Sequence, residues 1–123
     1  MNLVLLYVAA GMTMLWGIAH LFPTKSVVAG FGDISVDNRR IITMEWIVEG
    51  VALIVLGVLV LTVTLIAPRE TVSRAVYVIS AGALIIFAIV SLFTGFKVRY
   101  APFKLCPVVF TMSAVLILLG GVI

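Results

Sequence analysis

Four long apolar segments alternate with short polar connections along this chain. The segments cover residues 2–22, 41–67, 75–95 and 105–123, and the connections carry most of the charged side chains. About 20 mainly apolar residues are needed for a helix to cross a hydrocarbon core of about 30 Å. The pattern therefore predicts four membrane-spanning helices. Short connections make sequence neighbours spatial neighbours, which favours an antiparallel four-helix bundle.

The composition indicates an integral membrane protein of the all-α class. The mean hydropathy is +1.37 and 11% of residues are charged, whereas about a quarter of residues are charged in soluble domains. The four segments leave no room for a soluble domain, so we expect residues 1–123 to form a single polytopic membrane domain. The first segment lacks a basic flank and a small-residue cleavage site, and we interpret it as a retained span.

The basic residues predict an orientation in the cell (inner) membrane. The first and third connections hold six of the eight Lys and Arg residues, and the second holds the other two. Because cytoplasmic loops carry an excess of Lys and Arg, this bias predicts both termini outside. The net charge of +3 does not indicate a nucleic-acid partner, since the basic residues are dispersed rather than clustered.

Two acidic residues lie inside the second apolar segment. Glu45 and Glu49 are four residues apart, so a helix places both on one face, one turn apart. Ionisable residues within a membrane span are rare and usually face a bundle interior or a water-filled cavity. We therefore expect Glu49, the deeper of the two, to face the interior and to mark a site.

Other polar and aromatic side chains fall at the same end of the predicted bundle. His20 lies near the end of the first span, at about the depth of Glu45, while few polar residues occupy the opposite half. Trp16 and Trp46 either belong to an interfacial aromatic belt or wall an apolar pocket. The predicted ligand-binding or proton-linked set is Glu49, Glu45, His20, Trp46, Trp16, Ser91, Thr94 and Tyr100.

Simpler interpretations of these residues remain open. Glu45 can serve as an interfacial anchor by pairing with a nearby basic residue. His20 can complete a zinc, manganese or iron set with the two glutamates, but the Glu-x-x-His pattern of diiron bundles is absent and we predict no metal. Cys106 is the only cysteine, which excludes an intrachain disulfide or a redox pair. No catalytic residue or cofactor is indicated.

Two short patches resemble the DoxX-like group of small four-span bacterial membrane proteins. The first is the end of the first span, Gly17 to Pro23, and the second is Glu49 and Gly50 leading to Leu53 and Gly57. The chain length and span number are also similar. This resemblance implies a four-helix membrane fold and a link to membrane redox or thiol-stress complexes.

Three classes of function are compatible with the sequence. We favour a protein that binds an apolar or amphipathic ligand, of lipid or quinone type, between its helices, with Glu49 and His20 at the polar end. The alternatives are a proton-coupled small exporter and an accessory subunit of a membrane complex. Small multidrug-resistance exporters carry their essential glutamate in the first span, which has none here. The expected partners are membrane lipid, an apolar small molecule and a second copy in a homodimer.

Overall fold

The computed structural model describes all 123 residues, and every regular element is helical. A single 3₁₀ turn, Gly95–Lys97, follows the fourth α-helix. The five α-helices are α1 (Leu3–Leu21), α2 (Thr24–Ala29), α3 (Val36–Ile66), α4 (Thr71–Phe93) and α5 (Ala101–Gly121).

Four of these helices, α1, α3, α4 and α5, are long and apolar enough to cross a membrane. This confirms the predicted number of long apolar helices. Three of them begin before their apolar segment does, at Val36, Thr71 and Ala101. Hydropathy marks the apolar stretch of a helix, whereas the helix itself continues through polar residues to a cap. The cap of α3 is Ser35, whose side chain accepts a hydrogen bond from the Asn38 amide at 3.2 Å.

The connection between α1 and α3 is also more ordered than the sequence indicated. It contains α2, a helix of six residues, and turns back at Gly32, whose φ of +73° lies in the left-handed region that favours glycine. α2 packs against α3. The connection therefore covers one end of the helix assembly.

Glycines bring α1 and α3 into close contact. Gly17 lies beside the backbone of Gly50 and Ile54, and Gly57 lies beside Ala10. Small residues allow helix backbones to approach closely, which maximises van der Waals contact between apolar helices. α3 packs chiefly on α1, and α1 also packs on α5.

α5 continues the assembly from α1 to α4. At one end of α1, the Asn2 amide donates a hydrogen bond to the Gly120 carbonyl at 2.8 Å. Farther along, the Phe87 ring of α4 meets the Phe110 ring of α5 edge to face, with centroids 6.0 Å apart. The helices thus pack in the order α3, α1, α5 and α4.

α3 and α4 meet near the short turn that joins them and contact each other little elsewhere. At that end, the buried Thr64 Oγ1 lies 3.0 Å from the Tyr77 hydroxyl oxygen. Thr64 donates its own proton to the Val60 carbonyl at 2.6 Å, so the Tyr77 hydroxyl donates to Thr64. Away from this contact a gap remains between the two helices.

Candidate functional site

A cleft of about 1110 Å³ occupies the gap between α3 and α4, at the end covered by α2. Of its 24 lining residues, 15 are hydrophobic, so its walls suit an apolar molecule. Several of these side chains remain more than half exposed, including Val48 (56%) and Ile86 (60%). The cleft therefore opens sideways between the two helices. Its apolar walls include Ile41, Ile42, Val48, Ala52, Ile86, Val90 and Phe110.

His20 and Trp46 hold the end of α1 against α3. The Trp46 indole Nε1 donates to the His20 carbonyl at 2.8 Å; carbonyls in the last turn of a helix lack partners within that helix. In return, His20 Nε2 lies 3.1 Å from the Trp46 carbonyl oxygen. The two rings stack with centroids 3.9 Å apart and an interplanar angle of 18°. These contacts fix the position of the imidazole.

Glu49 meets the same imidazole nitrogen. Its Oε2 lies 3.5 Å from His20 Nε2. Because both neighbours of Nε2, this carboxylate and the Trp46 carbonyl, accept hydrogen bonds, Nε2 carries a proton. The His20 side chain is 7% exposed and that of Glu49 is 48% exposed. Glu49 was expected to lie near His20 and to face the bundle interior. It contacts His20, but its side chain is 48% exposed and is not enclosed among the helices.

Glu45 also lines the cleft, one turn from Glu49. It is exposed and forms no ion pair with any basic residue. The anchoring role considered from the sequence therefore has no partner in the structure. We call His20, Glu45 and Glu49 the polar end of the cleft.

Ser91, Thr94 and Tyr100 line the opposite side of the cleft. The Ser91 hydroxyl donates to the Phe87 carbonyl at 2.7 Å, and the Thr94 hydroxyl donates to the Val90 carbonyl at 2.6 Å. Since these protons are already engaged within α4, both hydroxyl oxygens are available to the cleft only as acceptors.

Trp16 is the one predicted site residue that does not line the cleft. It lines a smaller cavity of about 520 Å³ that His20 and Trp46 also line. Its indole Nε1 is buried without a hydrogen-bond partner. Six residues line both spaces, so the smaller cavity directly adjoins the cleft; they are His20, Pro23, Trp46, Tyr100, Phe103 and Cys106.

Sequence reasoning missed several aromatic and apolar lining residues. Phe103 packs edge to face against Trp46, with centroids 5.7 Å apart, and Val27 and Phe31 close the end of the cleft from α2 and the residue after its C-terminal cap. Cys106, which was not among the predicted site residues, lines both spaces. Phe103 lies in the first turn of α5, before the predicted start of that span at residue 105, so an earlier predicted start would have drawn attention to it.

The arrangement suits binding more than metal chemistry. No three His, Cys, Asp or Glu side chains lie together as a set that could hold a metal ion. The polar end offers two carboxylates, one of them in contact with the His20 imidazole, beside apolar and aromatic walls. Such a surface can bind a molecule with a long apolar part and a small polar group.

In comparisons with known proteins, no family model, no curated protein and no solved structure matches this chain.

Proposed function

We propose that this chain is a multi-pass membrane protein, folded as an antiparallel four-helix bundle, that binds an apolar or amphipathic molecule of lipid or quinone type in the cleft. His20 and Glu49 engage the polar end of that molecule. The observation that carries the proposal is the meeting of a mainly apolar cleft with an imidazole and carboxylate pair at one end. The cleft, at about 1110 Å³, is slightly larger than the usual 300–1,000 Å³ of ligand pockets.

The sideways opening supports entry from a bilayer. With α1, α3, α4 and α5 spanning a membrane, the gap between α3 and α4 faces the acyl chains, so a lipid-soluble molecule reaches the cleft without crossing water. The contacts of Gly17 with Gly50 and of Ala10 with Gly57 support opposite directions for α1 and α3, because residue numbers rise along one helix as they fall along the other.

Tryptophan fluorescence tests this binding directly. Trp16 and Trp46 are the only tryptophans, and both lie at this end of the bundle. A terminally brominated undecanol, added to the protein in uncharged maltoside micelles, should quench their emission saturably. Ala52 lines the cleft, so Ala52→Phe fills it and should raise the dissociation constant of the alcohol about tenfold, about 1.4 kcal/mol.

Ala75→Phe is the matched control, because Ala75 is exposed on α4 and does not line the cleft. This variant should bind the alcohol as the unmodified protein does. Quenching that rises without saturation, equally in all three proteins, would show collision within the micelle and would contradict a binding site.

We also propose an orientation for the protein in the membrane. Six basic residues lie in the connections at the cleft end and two at the other end, which supports a cytoplasmic position for the cleft end. In a Cys106→Ala background, Thr71→Cys should react with a membrane-impermeant maleimide on intact cells. Asp33→Cys should react only after the membrane is opened. Labelling of position 33 on intact cells would contradict this orientation.

We also propose that the chain is related to the DoxX-like group and that it forms a homodimer. The two patches that carry the resemblance include His20 and Glu49, and these two residues line the cleft. The alternatives are a proton-coupled small exporter and an accessory subunit of a membrane complex. If the chain is an accessory subunit, Ala52→Phe should leave assembly of that complex unchanged.

A further inference from the structure

The only charged side chains that line the cleft are acidic. Glu45 and Glu49 line it, together with His20, and no Lys or Arg does. An anionic group of a ligand would therefore lie near two carboxylates, with no basic side chain to neutralise them. Juxtaposed like charges disfavour binding strongly.

The six basic residues at this end of the molecule are directed elsewhere or lie outside the lining. Lys25, Lys97 and Arg99 do not line the cleft. The other three contact groups outside it: Arg40 lies 3.8 Å from Asp37, Arg39 donates to the Gly32 carbonyl at 3.5 Å, and Lys104 donates to the Phe96 carbonyl at 2.8 Å. None of them neutralises Glu45 or Glu49.

Aromatic rings line the same cleft as the two carboxylates. Trp46 lies between Glu45 and Glu49 in sequence, and Tyr100 and Phe103 line the same cleft. A Tyr100–Phe103 ring pair and a Trp46–Phe103 ring pair, with centroids 6.0 Å and 5.7 Å apart, join these rings into one cluster. Aromatic faces beside carboxylates attract ammonium groups, including quaternary ones, through the ring quadrupole.

We infer that the molecule bound in the cleft is an amphipathic cation, with an ammonium group held by Glu49, Glu45 and the Trp46, Tyr100 and Phe103 rings and with its apolar chain between α3 and α4. This inference rests on the proposed function, and it names the chemical class of the ligand.

Three probes with one tail and three head groups separate the two claims. Terminally brominated undecyltrimethylammonium, undecanol and undecanoate are titrated into the protein in uncharged maltoside micelles, and quenching of tryptophan emission is measured. The ammonium compound should bind at least about tenfold more tightly than the carboxylate, since opposite charges attract strongly in partly buried sites. Glu49→Gln should remove most of that preference, and Glu45→Gln should reduce it.

Glu70→Gln is the matched control, because Glu70 is an exposed carboxylate at the start of α4 that does not line the cleft. It should leave the preference intact. Equal binding of the three probes, or tighter binding of undecanoate, with Ala52→Phe still blocking them, would overturn the cationic ligand and leave the proposed function standing. Absence of saturable binding for all three probes would overturn both.

Discussion

Gly17→Ala should lower the free energy of unfolding by about 1–3 kcal/mol, the usual effect of overpacking a close contact. A Cβ at Gly17 would lie 2.7 Å from the Gly50 carbonyl oxygen and 2.9 Å from the Ile54 amide nitrogen. Both atoms belong to the α3 backbone, which cannot rotate away as a flexible side chain can. The methyl group therefore forces α1 and α3 apart. SDS titration in mixed micelles, followed by circular dichroism, measures the change.

Gly11→Ala provides the control within the same helix. A Cβ at Gly11 meets no atom within 4 Å, and alanine favours a helix over glycine by about 1 kcal/mol. This variant should be as stable as the unmodified protein or more so. An equal loss of stability in both variants would contradict a specific close contact between α1 and α3.

Trp46→Ala should have the largest effect among single substitutions at the cleft. It removes the hydrogen bond to the His20 carbonyl, the stacked ring and the edge contact with Phe103. Truncation of a packed tryptophan costs about 3 kcal/mol or more, so we expect a clear drop in the unfolding midpoint. The imidazole also loses its support beside Glu49, and the affinity for brominated undecanol, followed by Trp16 emission, should fall about tenfold.

Trp46→Phe distinguishes ring packing from hydrogen bonding. It keeps an aromatic ring to stack on His20 but cannot donate to the carbonyl, so it should lose only about 1 kcal/mol of stability. Ile47→Ala, one position along and 41% exposed, controls for truncation at this level of α3. If Trp46→Ala were no less stable than Ile47→Ala, the contacts between Trp46 and His20 would not hold α1 to α3.

The helices were predictable because apolar periodicity and span length leave few alternatives for residues so hydrophobic. Their starts were less so. α3 begins at Val36 and not at Ile41, because Ser35 supplies a cap and the polar residues that follow continue the helix into a solvated region. Hydropathy does not report caps, and it does not identify a helix of only six residues such as α2.

The polar end was predictable to the extent that depth along a helix determines it. Depth along the spans aligned His20 with Glu45, whereas in the structure His20 contacts Glu49, one helical turn farther along α3. The exposure of Glu49 was not predictable, since it depends on how far α3 and α4 diverge. The lining by Val27, Phe31 and Phe103 depends on how the two connections fold over the cleft, for which the sequence carries no periodic signal.

Photocrosslinking locates the bound molecule directly and so tests whether an amphipathic molecule lies between α3 and α4. Undecanol with a diazirine near the middle of its chain is irradiated with the protein in maltoside micelles, and modified residues are located by mass spectrometry. We expect modification of cleft residues such as Val48, Ala52, Ile86 and Val90, suppressed by excess undecanol. Modification spread evenly over exposed residues of all four long helices, with no competition by undecanol, would contradict a ligand site in the cleft.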